Sequence, residues 1–473
     1  MNSMKIRNVK EEYKHFLVTY LLPLIGISYN NNLMPIPEVQ GELPKASSSY
    51  IRCTNDRIFF STHDVDMFYL EWNHGLSGDS IAFAREVISA FFGVSTYSRP
   101  KNLKAAKIRY SEDFIREANY RLAIQKGICD WCAGKKNEKL YALIQALEHW
   151  SVQTYEGNKV TFGFIYNPEA KSPLRNDDYG DWLKFLNDDY SAAFSDCIHS
   201  VIEIDENCNL SRHLSITETG IIEKYRLSAR LPYRFARIIE KYVTGSCVGI
   251  FLLKNGDILI SKNRAVQLIK RNLRWLNLSY DTFLNMVRSR PETADISEDL
   301  IEQIYASVLD VSFAHTGGII AVIPDISRLI SGQDPVLNIC DNLLDNRDLR
   351  AMEMEMRKSN VYTGLSPAEI NKELSKRLLK RKLVKYLVAE RAFPAIDRKL
   401  RAELISMDGA CILDYTGRVC AVGAIIRNDS GSSGGGRNAA AKKLSKYKGL
   451  AVKVSTDGYI ELFIQGERVY EIK

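Results

Sequence analysis

The sequence lacks the long apolar run that a membrane-spanning helix requires. The longest such run near the start, FLVTYLLPLIGI from Phe16, is short and contains Pro23, whereas a spanning helix needs about 20 apolar residues. The flanks of a secretory signal peptide are also missing. We therefore expect a cytoplasmic protein with no membrane span.

The sequence also lacks a disulfide framework and a complete zinc motif. Its nine cysteines are scattered through a long chain, which is typical of reduced thiols that pack as small apolar side chains. Cys129 and Cys132, in CDWC, have the two-residue spacer that lets two thiolates reach one tetrahedral zinc ion. No second pair of this kind occurs, so Cys197, His199 or Cys208 would have to complete a site from a distance. The alternative is two ordinary thiols, and whether this pair binds metal stays open.

A large excess of charge of either sign is absent as well. The net charge of +7 arises from 64 basic and 57 acidic residues, which is too small an excess to predict nucleic acid as a partner. A local basic site for phosphate remains compatible with it. The 45% hydrophobic and 26% charged residues are ordinary for a soluble globular protein, and the length favours about three domains.

We predict that residues 1–135 form a mixed N-terminal region of unknown role. It contains a helix over about residues 10–22, a loop through MPIPEVQGELPKASSSY, and a helix at DSIAFAREVISAFFG that Gly93 ends. No motif with a recognisable chemistry stands out in this region.

Residues 136–290 are predicted to form an α/β domain. The helix EKLYALIQALEHWSVQTY precedes the strand KVTFGFIY, and the turn-rich acidic segment NDDYGDWLKFLNDDY follows. A helix at PYRFARIIEKYV then leads to the hairpin VGIFLLKNGDILI, which turns at Asn255 and Gly256.

Residues 295–473 repeat this order of elements. The helix EDLIEQIYASVLDVSF is followed by the strand TGGIIAVI, a long helical stretch and the hairpin ACILDYTGRVCAVGAII. Gly163 and Gly249 in the earlier region are spaced much as Gly318 and Gly409 are here. We interpret residues 136–290 as a decayed copy of the C-terminal domain, with two unrelated α/β domains as the alternative.

A basic segment, KRLLKRKLVKYLVAERAF, follows a helical pattern within the third region. We interpret it as a solvated helix face whose apolar stripe packs inward. A surface that binds polyphosphate or nucleic acid is the alternative. The cations that crowd the pattern are Lys376, Arg377, Lys380, Arg381, Lys382 and Lys385. The apolar stripe consists of Leu378, Leu379, Leu383 and Leu387.

Asp408 stands just before an apolar strand and is a candidate metal ligand. Gly409 leaves room for a close backbone approach, and Ala410 starts the strand. Mg²⁺ and Mn²⁺ prefer hard oxygen ligands and share their coordination with substrate phosphates, so one aspartate can suffice. The alternative is an ordinary Asp-Gly turn.

The segment GSSGGGRNAAAKKLSKY is a candidate phosphate cradle rather than a flexible linker. It lies between a strong strand and a helical pattern, so its glycines would deliver the chain to a helix N-terminus. Arg437 at that entrance can donate two parallel hydrogen bonds to phosphate. Gly431 and Gly436 have the spacing of a P-loop, but Arg437 and Asn438 replace its lysine and hydroxyl, which argues against a nucleoside triphosphatase. Ser455, at the end of a later strand, is a further candidate phosphate ligand.

Four segments together resemble the diadenylate cyclase domain, the nucleotidyltransferase found in the DNA-integrity-scanning cyclase and its membrane-linked relatives. In chain order they are HTGGIIAVI, MDGACILDYTGRVCAVGAII, GGGRNAAAKKLS and AVKVSTDGYIELF. The resemblance covers about residues 295–473. It implies an α/β fold, of the α+β type, with a central mixed sheet flanked by helices. The order of predicted elements places one or two further α/β regions before it.

The resemblance implies a reaction that joins two ATP molecules into cyclic di-AMP and releases two pyrophosphates. Each 3′-hydroxyl attacks the α-phosphate of the other molecule, so an active enzyme would be a homo-oligomer. The family's Asp-Gly-Ala motif, which lies at the metal and the ribose, corresponds to Asp408, Gly409 and Ala410. Gly436 and Arg437 match its second motif, which grips the triphosphate.

The second motif departs from the family at several positions. Asn438 takes the place of a histidine, Ala439 the place of a common arginine, and Gly435 the place of a hydroxyl residue. Asparagine can donate a neutral hydrogen bond but carries no charge, so the grip on a polyphosphate should weaken. A Ser-Glu pair of the family reads Ser455-Thr456.

We therefore expect an adenine-nucleotide-binding protein. An active cyclase would use Asp408 as the catalytic ligand of Mg²⁺ or Mn²⁺, and Arg437 would hold the leaving pyrophosphate. The alternative is a catalytically inactive sensor of ATP or a cyclic dinucleotide in a bacterial signalling or defence system. A structural or interaction protein, with the first region as its working part, is a third hypothesis. The expected nucleotide-binding residues are Gly409, Ala410, Gly435, Gly436, Arg437, Asn438 and Ser455.

Overall fold

The computed structural model describes a large part of the chain, and it has the expected α+β class. Two compact units form: Met1–Ser228 with Phe235–Thr282, and Ala229–Arg234 with Phe283–Lys473. The described residues are 15–25, 33–35, 50–53, 57–62, 65–71, 78–97, 112–155, 157–173, 194–216, 230–288, 290–330, 336–337, 341–345, 350, 354, 366–388, 391–427 and 435–472.

The N-terminal part of the first unit combines a small sheet with long helices. Strands β1 (Leu33–Pro35), β2 (Tyr50–Cys53), β3 (Arg57–Thr62) and β4 (Val65–Glu71) pair antiparallel in the order β1-β4-β3-β2. Helical turns over Leu17–Leu24 agree with part of the helix predicted near residues 10–22, whose residues 10–14 lie outside the described chain. Residues 36–49 of the predicted loop also lie outside the described residues.

Helices α1 (Gly78–Tyr97) and α2 (Glu112–Ala133) differ from the sequence prediction. The helix predicted to end at Gly93 continues to Tyr97, because a glycine within a helix costs only about 1 kcal/mol and burial of residues such as Phe91 outweighs that cost. Helix α2 was not predicted. At Gly127 it approaches α1 so closely that a Cβ would clash with the backbone of Val87, so this glycine serves packing and not a helix end.

The first unit also holds a seven-stranded mixed sheet. Helix α3 (Glu138–Trp150) precedes this sheet in the chain and begins where Asn137 Oδ1 accepts the Leu140 N–H at 2.9 Å. In spatial order the strands of the sheet are β13 (Arg274–Asn277), β12 (Ala265–Arg271), β11 (Ile258–Lys262), β10 (Val248–Leu252), β7 (Phe162–Tyr166), β8 (Ser200–Ile204) and β9 (Leu210–Ser215). Only β7 and β8 pair in parallel. A two-stranded pair, β5 (Thr154–Tyr155) with β6 (Asn158–Lys159), lies ahead of it.

Helix α4 (Ala236–Tyr242) lies before β10 in the chain. The predicted hairpin at Asn255 and Gly256 joins β10 to β11 and is confirmed. The acidic segment at 176–190 lies outside the described residues.

The second unit is built around a six-stranded mixed sheet of order β16-β15-β14-β17-β18-β19, in which only β14 and β15 run parallel. Its strands are β14 (Gly318–Val322), β15 (Ala410–Leu413), β16 (Val419–Ala424), β17 (Leu450–Val454), β18 (Ile460–Ile464) and β19 (Glu467–Ile472). Its helices are α5 (Tyr280–Arg288), which begins before the unit does, α6 (Glu298–Ala314), α7 (Pro367–Val388), α8 (Arg398–Ser406) and α9 (Gly436–Ser445). Short turns of helix occur at Pro291–Thr293, Ser327–Ile330 and Phe393–Ala395.

Alternation along the central strands gives the second sheet an apolar core. Ile319 and Ala321 of β14 pack in one buried cluster with Ala441 and Leu444 of α9. Helix α9 therefore covers this face of the sheet. Every second residue of a strand points to the same face, and residues three or four apart in a helix share one side, so these apolar side chains meet.

Helix α8 is anchored by polar contacts to α6. Its N-cap, Asp397, accepts the Lys399 N–H at 2.9 Å. Arg398 Nε donates to Asp310 Oδ2 at 2.6 Å, and burial raises the pKa of Asp310 although this guanidinium counteracts the effect. Arg401 Nη1 donates to Gln303 Oε1 at 2.7 Å. The start of α8 is thus fixed by charged and neutral hydrogen bonds.

The apolar stripe predicted on α7 does not pack inward. Leu379 is 69% exposed and Leu383 is 55% exposed, and Leu387 is also exposed while Leu378 is half-buried. The buried side chains are instead Leu374, Arg381, Val384 and Val388. Arg381 can be buried because it donates to the backbone carbonyls of residues 342 and 345, which satisfies its charge by hydrogen bonding.

Among the described residues, no helix combines the length and apolar character needed to cross a membrane.

Candidate functional site

Three strands of the second sheet bring the predicted site segments to one edge. Ile319 of β14 lies beside Ala410 of the parallel strand β15, and Gly318 lies beside Val454 of the antiparallel strand β17. The start of β14, the start of β15 and the end of β17 therefore coincide. Neighbouring strands are about 4.8 Å apart, so the backbones of residues 408 and 455 flank residue 317 at a separation of roughly 10 Å.

Arg437 reaches the same edge from the first turn of α9. A Cβ on Gly317 would lie 2.5 Å from Nη1 of Arg437 and 3.1 Å from the backbone nitrogen of Thr456. Gly317 has a φ of +69°, which glycine adopts without steric cost. The guanidinium of Arg437 therefore lies against a residue without a side chain, in the middle of the edge. We call the residues that meet here, 315–318, 406–409, 435–437 and 455–456, the sheet-edge site.

Helix α9 begins directly at Gly436, as the sequence predicted. Its N-cap, Gly435, has a φ of +81° and supplies no side-chain cap, and Asn438 is half-buried in the first turn. The start of a ten-residue helix carries partial positive charge from its N–H groups. Arg437 adds a full charge beside them. Gly431 and Gly434 lie outside the described residues.

Asp408 is exposed in the turn that joins α8 to β15. Gly409, with a φ of +106°, permits this turn, since a Cβ there would clash with the backbone of Gly423. Ala410 is fully buried as the first residue of β15, so it contributes packing and backbone position. The carboxylate of Asp408 is the acidic group of the sheet-edge site.

Lys380 is a cation beside Asp408 that the sequence analysis assigned only to a basic helix. Its Nζ donates to the carbonyl of Gly423, and a Cβ on Gly423 would meet both Lys380 Nζ at 2.9 Å and the Asp408 carbonyl oxygen at 3.0 Å. The same amino group lies 3.6 Å from Asp341 Oδ1. Burial raises the pKa of Asp341, and the charges of Lys380 and Arg377 counteract this rise.

His315 and Thr316 are further residues of the site that were absent from the predicted set. Thr316 Oγ1 and Ser406 Oγ share a hydrogen bond of 2.7 Å, which ties the start of β14 to the end of α8. His315 Nδ1 lies 3.2 Å from the Thr456 carbonyl oxygen, as expected for a tautomer that donates from Nδ1. Both residues belong to HTGGIIAVI, one of the four segments that resemble the diadenylate cyclase domain, and that resemblance could have identified them.

Ser455 lies at the edge, and its hydroxyl oxygen already accepts a backbone hydrogen bond. Its Oγ accepts the Tyr459 N–H at 3.1 Å within the turn that joins β17 to β18. The hydroxyl can still donate its own proton to a ligand, since one oxygen can donate and accept at once.

The donor set limits which metal the site could hold. No group of three or more His, Cys, Asp or Glu side chains that could hold a metal ion occurs among the described residues. Asp408 would therefore supply one hard oxygen ligand, and phosphate and water oxygens would supply the others. This arrangement suits Mg²⁺ or Mn²⁺ and does not suit a structural zinc ion.

The cysteines that the sequence singled out are buried in the first unit. Cys129 and Cys132 lie in α2, and burial raises the pKa of both, that of Cys132 to about 12. Cys208 is likewise buried, with its pKa raised to about 12 by burial. At neutral pH these thiols stay protonated and pack as small apolar groups.

The thiols give a first testable expectation. Native protein treated with iodoacetamide at pH 7.5 should be modified at Cys247, which is half-buried, well before Cys129 or Cys132, because alkylation requires an accessible thiolate. Peptide mapping by mass spectrometry measures the order, and treatment in urea is the control that exposes all sites. Early modification of Cys132, or stoichiometric zinc in the purified protein, would contradict the buried-thiol assignment.

Comparison with known proteins finds no protein-family model that matches the chain and no curated protein that matches it.

Proposed function

We propose that the second unit binds an adenine nucleotide at the sheet-edge site. The observation that supports this most strongly is the position of the Arg437 guanidinium against Gly317, between the strand ends that carry Asp408 and Ser455. A fork of N–H donors, a helix start and a carboxylate within about 10 Å match the groups that a phosphate–metal pair needs. The resemblance to the diadenylate cyclase domain supplies adenine as the base.

Two functions would use this site. In the first, the protein condenses two ATP molecules into cyclic di-AMP and two pyrophosphates. The 3′-hydroxyl of each ribose would lose its proton to solvent as its oxygen forms a bond to the α-phosphorus of the other ATP, while the bond to pyrophosphate breaks. Asp408 would hold the divalent metal that neutralises the phosphate, and Arg437 would stabilise the charge that develops on pyrophosphate. Such an enzyme would work as a homo-oligomer, because each ATP attacks the other.

In the second, the same site senses a nucleotide or cyclic dinucleotide without catalysis. The charges of the site favour this candidate. Arg437 is the only cation in positions 435–439, and Lys380 is already engaged with Gly423 and Asp341. A triphosphate carries about four negative charges near neutral pH and a cyclic dinucleotide carries two, so the weaker cationic field suits the dinucleotide better.

The experiment separates the two functions directly. The purified chain is incubated with ATP and Mg²⁺ or Mn²⁺ and the products are separated by chromatography, while calorimetry measures binding of cyclic di-AMP. A cyclase forms cyclic di-AMP, and Asp408→Asn removes this product. A sensor binds the dinucleotide and forms no product at high protein concentration.

Asp457→Asn is the matched control, because Asp457 is exposed in the turn after β17 and is not part of the sheet-edge site. It should leave either activity unchanged. Absence of both product and binding would refute the proposed function.

A further inference from the structure

Six strands of the first large sheet share the strand order of the second, and β13 is an additional strand. In each unit a helix leads to a central strand, which pairs in parallel with the next strand and antiparallel with a later one. The order β9-β8-β7-β10-β11-β12 therefore matches β16-β15-β14-β17-β18-β19, strand for strand and direction for direction. The leading helices also match, since α3 begins at a capping Asn137 and α6 at a capping Ser297.

Irregular features recur at matching positions as well. The β11–β12 ladder shifts register between Ile260 and Ser261, and the β18–β19 ladder shifts between Leu462 and Phe463. Counted from the paired strands β10 and β17, these are the same positions. Bulges are local departures that a sheet does not require, so their coincidence indicates common ancestry of the two sheets.

The turns repeat the same hydrogen bonds. In the β8–β9 turn, Asp205 Oδ1 accepts the N–H of Asn207 at 2.9 Å and of Asn209 at 2.8 Å. In the β15–β16 turn, Asp414 Oδ1 accepts the N–H of Thr416 and of Arg418, each at 2.9 Å. The turns after β10 and β17 likewise share a left-handed glycine, Gly256 and Gly458.

The strand register shows that the glycine spacing compared in the sequence does not join equivalent positions. Gly249 lies in β10, whose counterpart is β17, whereas Gly409 precedes β15. The hairpin after Val248 therefore corresponds to the hairpin after Leu450, and not to the one after Ala410.

The matched edge of the first sheet lacks the glycine, the hydroxyl and the carboxylate of the sheet-edge site. Thr161 stands where the second unit has Gly317, so a Cβ occupies the space that the Arg437 guanidinium takes there. Leu253 stands at the position of Ser455 and is buried. Arg237 is the second residue of α4, as Arg437 is of α9, so this arginine is the group of the first copy that a binding test has to examine.

His199 stands at the position of Asp408, and it belongs to a hydrogen-bonded loop. Its Nδ1 lies 2.6 Å from Asp196 Oδ2, and Asp196 Oδ1 accepts the N–H groups of Ile198, His199 and Ser200 at 2.7 to 3.0 Å. Burial works to raise the pKa of Asp196, but these hydrogen bonds outweigh it and lower the pKa to about 2. The pair stabilises a loop, and the Nδ1 atom of His199 is engaged by Asp196.

We propose that the chain carries two copies of one domain, and that only the second copy binds nucleotide, so that each chain holds no more than one nucleotide. This inference rests on the proposed function of the sheet-edge site. The first copy is a domain of the same fold in which Thr161 and Leu253 stand at the positions of Gly317 and Ser455.

Binding stoichiometry of the full chain tests this inference. Calorimetry is performed with α,β-methylene-ATP and Mg²⁺, and separately with cyclic di-AMP. We expect at most one ligand per chain. Arg437→Ala and Arg437→Gln should each weaken binding by about 10- to 100-fold, with folding checked by circular dichroism. Variants in the first copy, His199→Ala and Arg237→Ala, should bind with the same affinity and stoichiometry as the unmodified chain. Arg237 is the matched arginine control, since it lies in α4, before β10.

The outcomes separate this inference from the proposed function. Two ligands per chain, or an affinity that the Arg437 variants leave unchanged and that falls with His199→Ala or Arg237→Ala, would overturn the inference and leave nucleotide binding intact. No binding of either probe would overturn both.

Discussion

Arg437→Ala is expected to weaken nucleotide binding by about 10- to 100-fold. A hydrogen bond to a charged group contributes about 1.5–3 kcal/mol, and each 1.4 kcal/mol changes affinity tenfold. The guanidinium lies against Gly317 at the centre of the sheet-edge site. Calorimetry at two salt concentrations measures the loss, and the salt dependence of binding should weaken with it, because the removed charge contacts phosphate.

Two variants serve as controls for this result. Arg437→Lys keeps the charge but loses the planar fork, so we expect an affinity between those of the unmodified chain and Arg437→Ala. Lys442→Ala removes an exposed cation from the last turn of the same helix and should leave the affinity within about twofold. Equal losses for Lys442→Ala and Arg437→Ala would mean that general charge, and not the sheet-edge site, binds the nucleotide.

Gly449→Ala is expected to lower the stability of the second unit by about 3 kcal/mol, the upper end of the usual cost of overpacking. A Cβ on Gly449 would clash with the backbone carbonyl oxygen of Val322, and β17 and β14 pair from this point onward. Backbone atoms of two central strands cannot move apart without breaking their hydrogen bonds. Thermal and urea unfolding followed by circular dichroism would measure the change.

Gly93→Ala is the matched control for Gly449→Ala. Gly93 lies within α1, and a Cβ there would meet no atom within 4 Å. Replacing a helical glycine with alanine should raise stability by about 0.5–1 kcal/mol. If both variants changed the free energy of unfolding by the same amount, the result would contradict the close contact between Gly449 and the backbone of Val322.

Turn chemistry made the hairpins of both sheets predictable from sequence. Asn255 and Gly256, and the Asp-Gly pair after β17, mark turns that need a left-handed glycine. Helix α2 was missed for the opposite reason. Gly127 lies within this helix and is required by close packing against α1, which is a tertiary effect that local patterns do not contain.

The error on α7 has a similar cause. Leucines and charged residues alternate around this helix, so its sequence is compatible with more than one inward face. The face that packs includes Arg381 because backbone carbonyls at residues 342 and 345 receive its hydrogen bonds. These acceptors are distant in sequence, and because they are backbone carbonyls, no residue type in the sequence identifies them.

Sequence reasoning found most of the sheet-edge site in separate pieces. Asp408, Arg437 and Ser455 were each recognisable beside a strand or helix end, and the register of β14, β15 and β17 brings them to one edge. Lys380 could not be predicted, since its position beside Asp408 depends on the fold of α7 over β16. The nucleotide preference of the site stays a prediction.

The anchoring of α8 gives the two sides of the site different mechanical properties. Arg398 and Arg401 fix the start of this helix to α6, and Gly318 allows its end to contact the backbone of β14. Asp408, directly beyond α8, is therefore held on a stiff support. Arg437 follows two glycines at the start of α9, where rotation costs little. We therefore expect Arg437 to move when phosphates of different spacing bind, while the Asp408 carboxylate keeps its position.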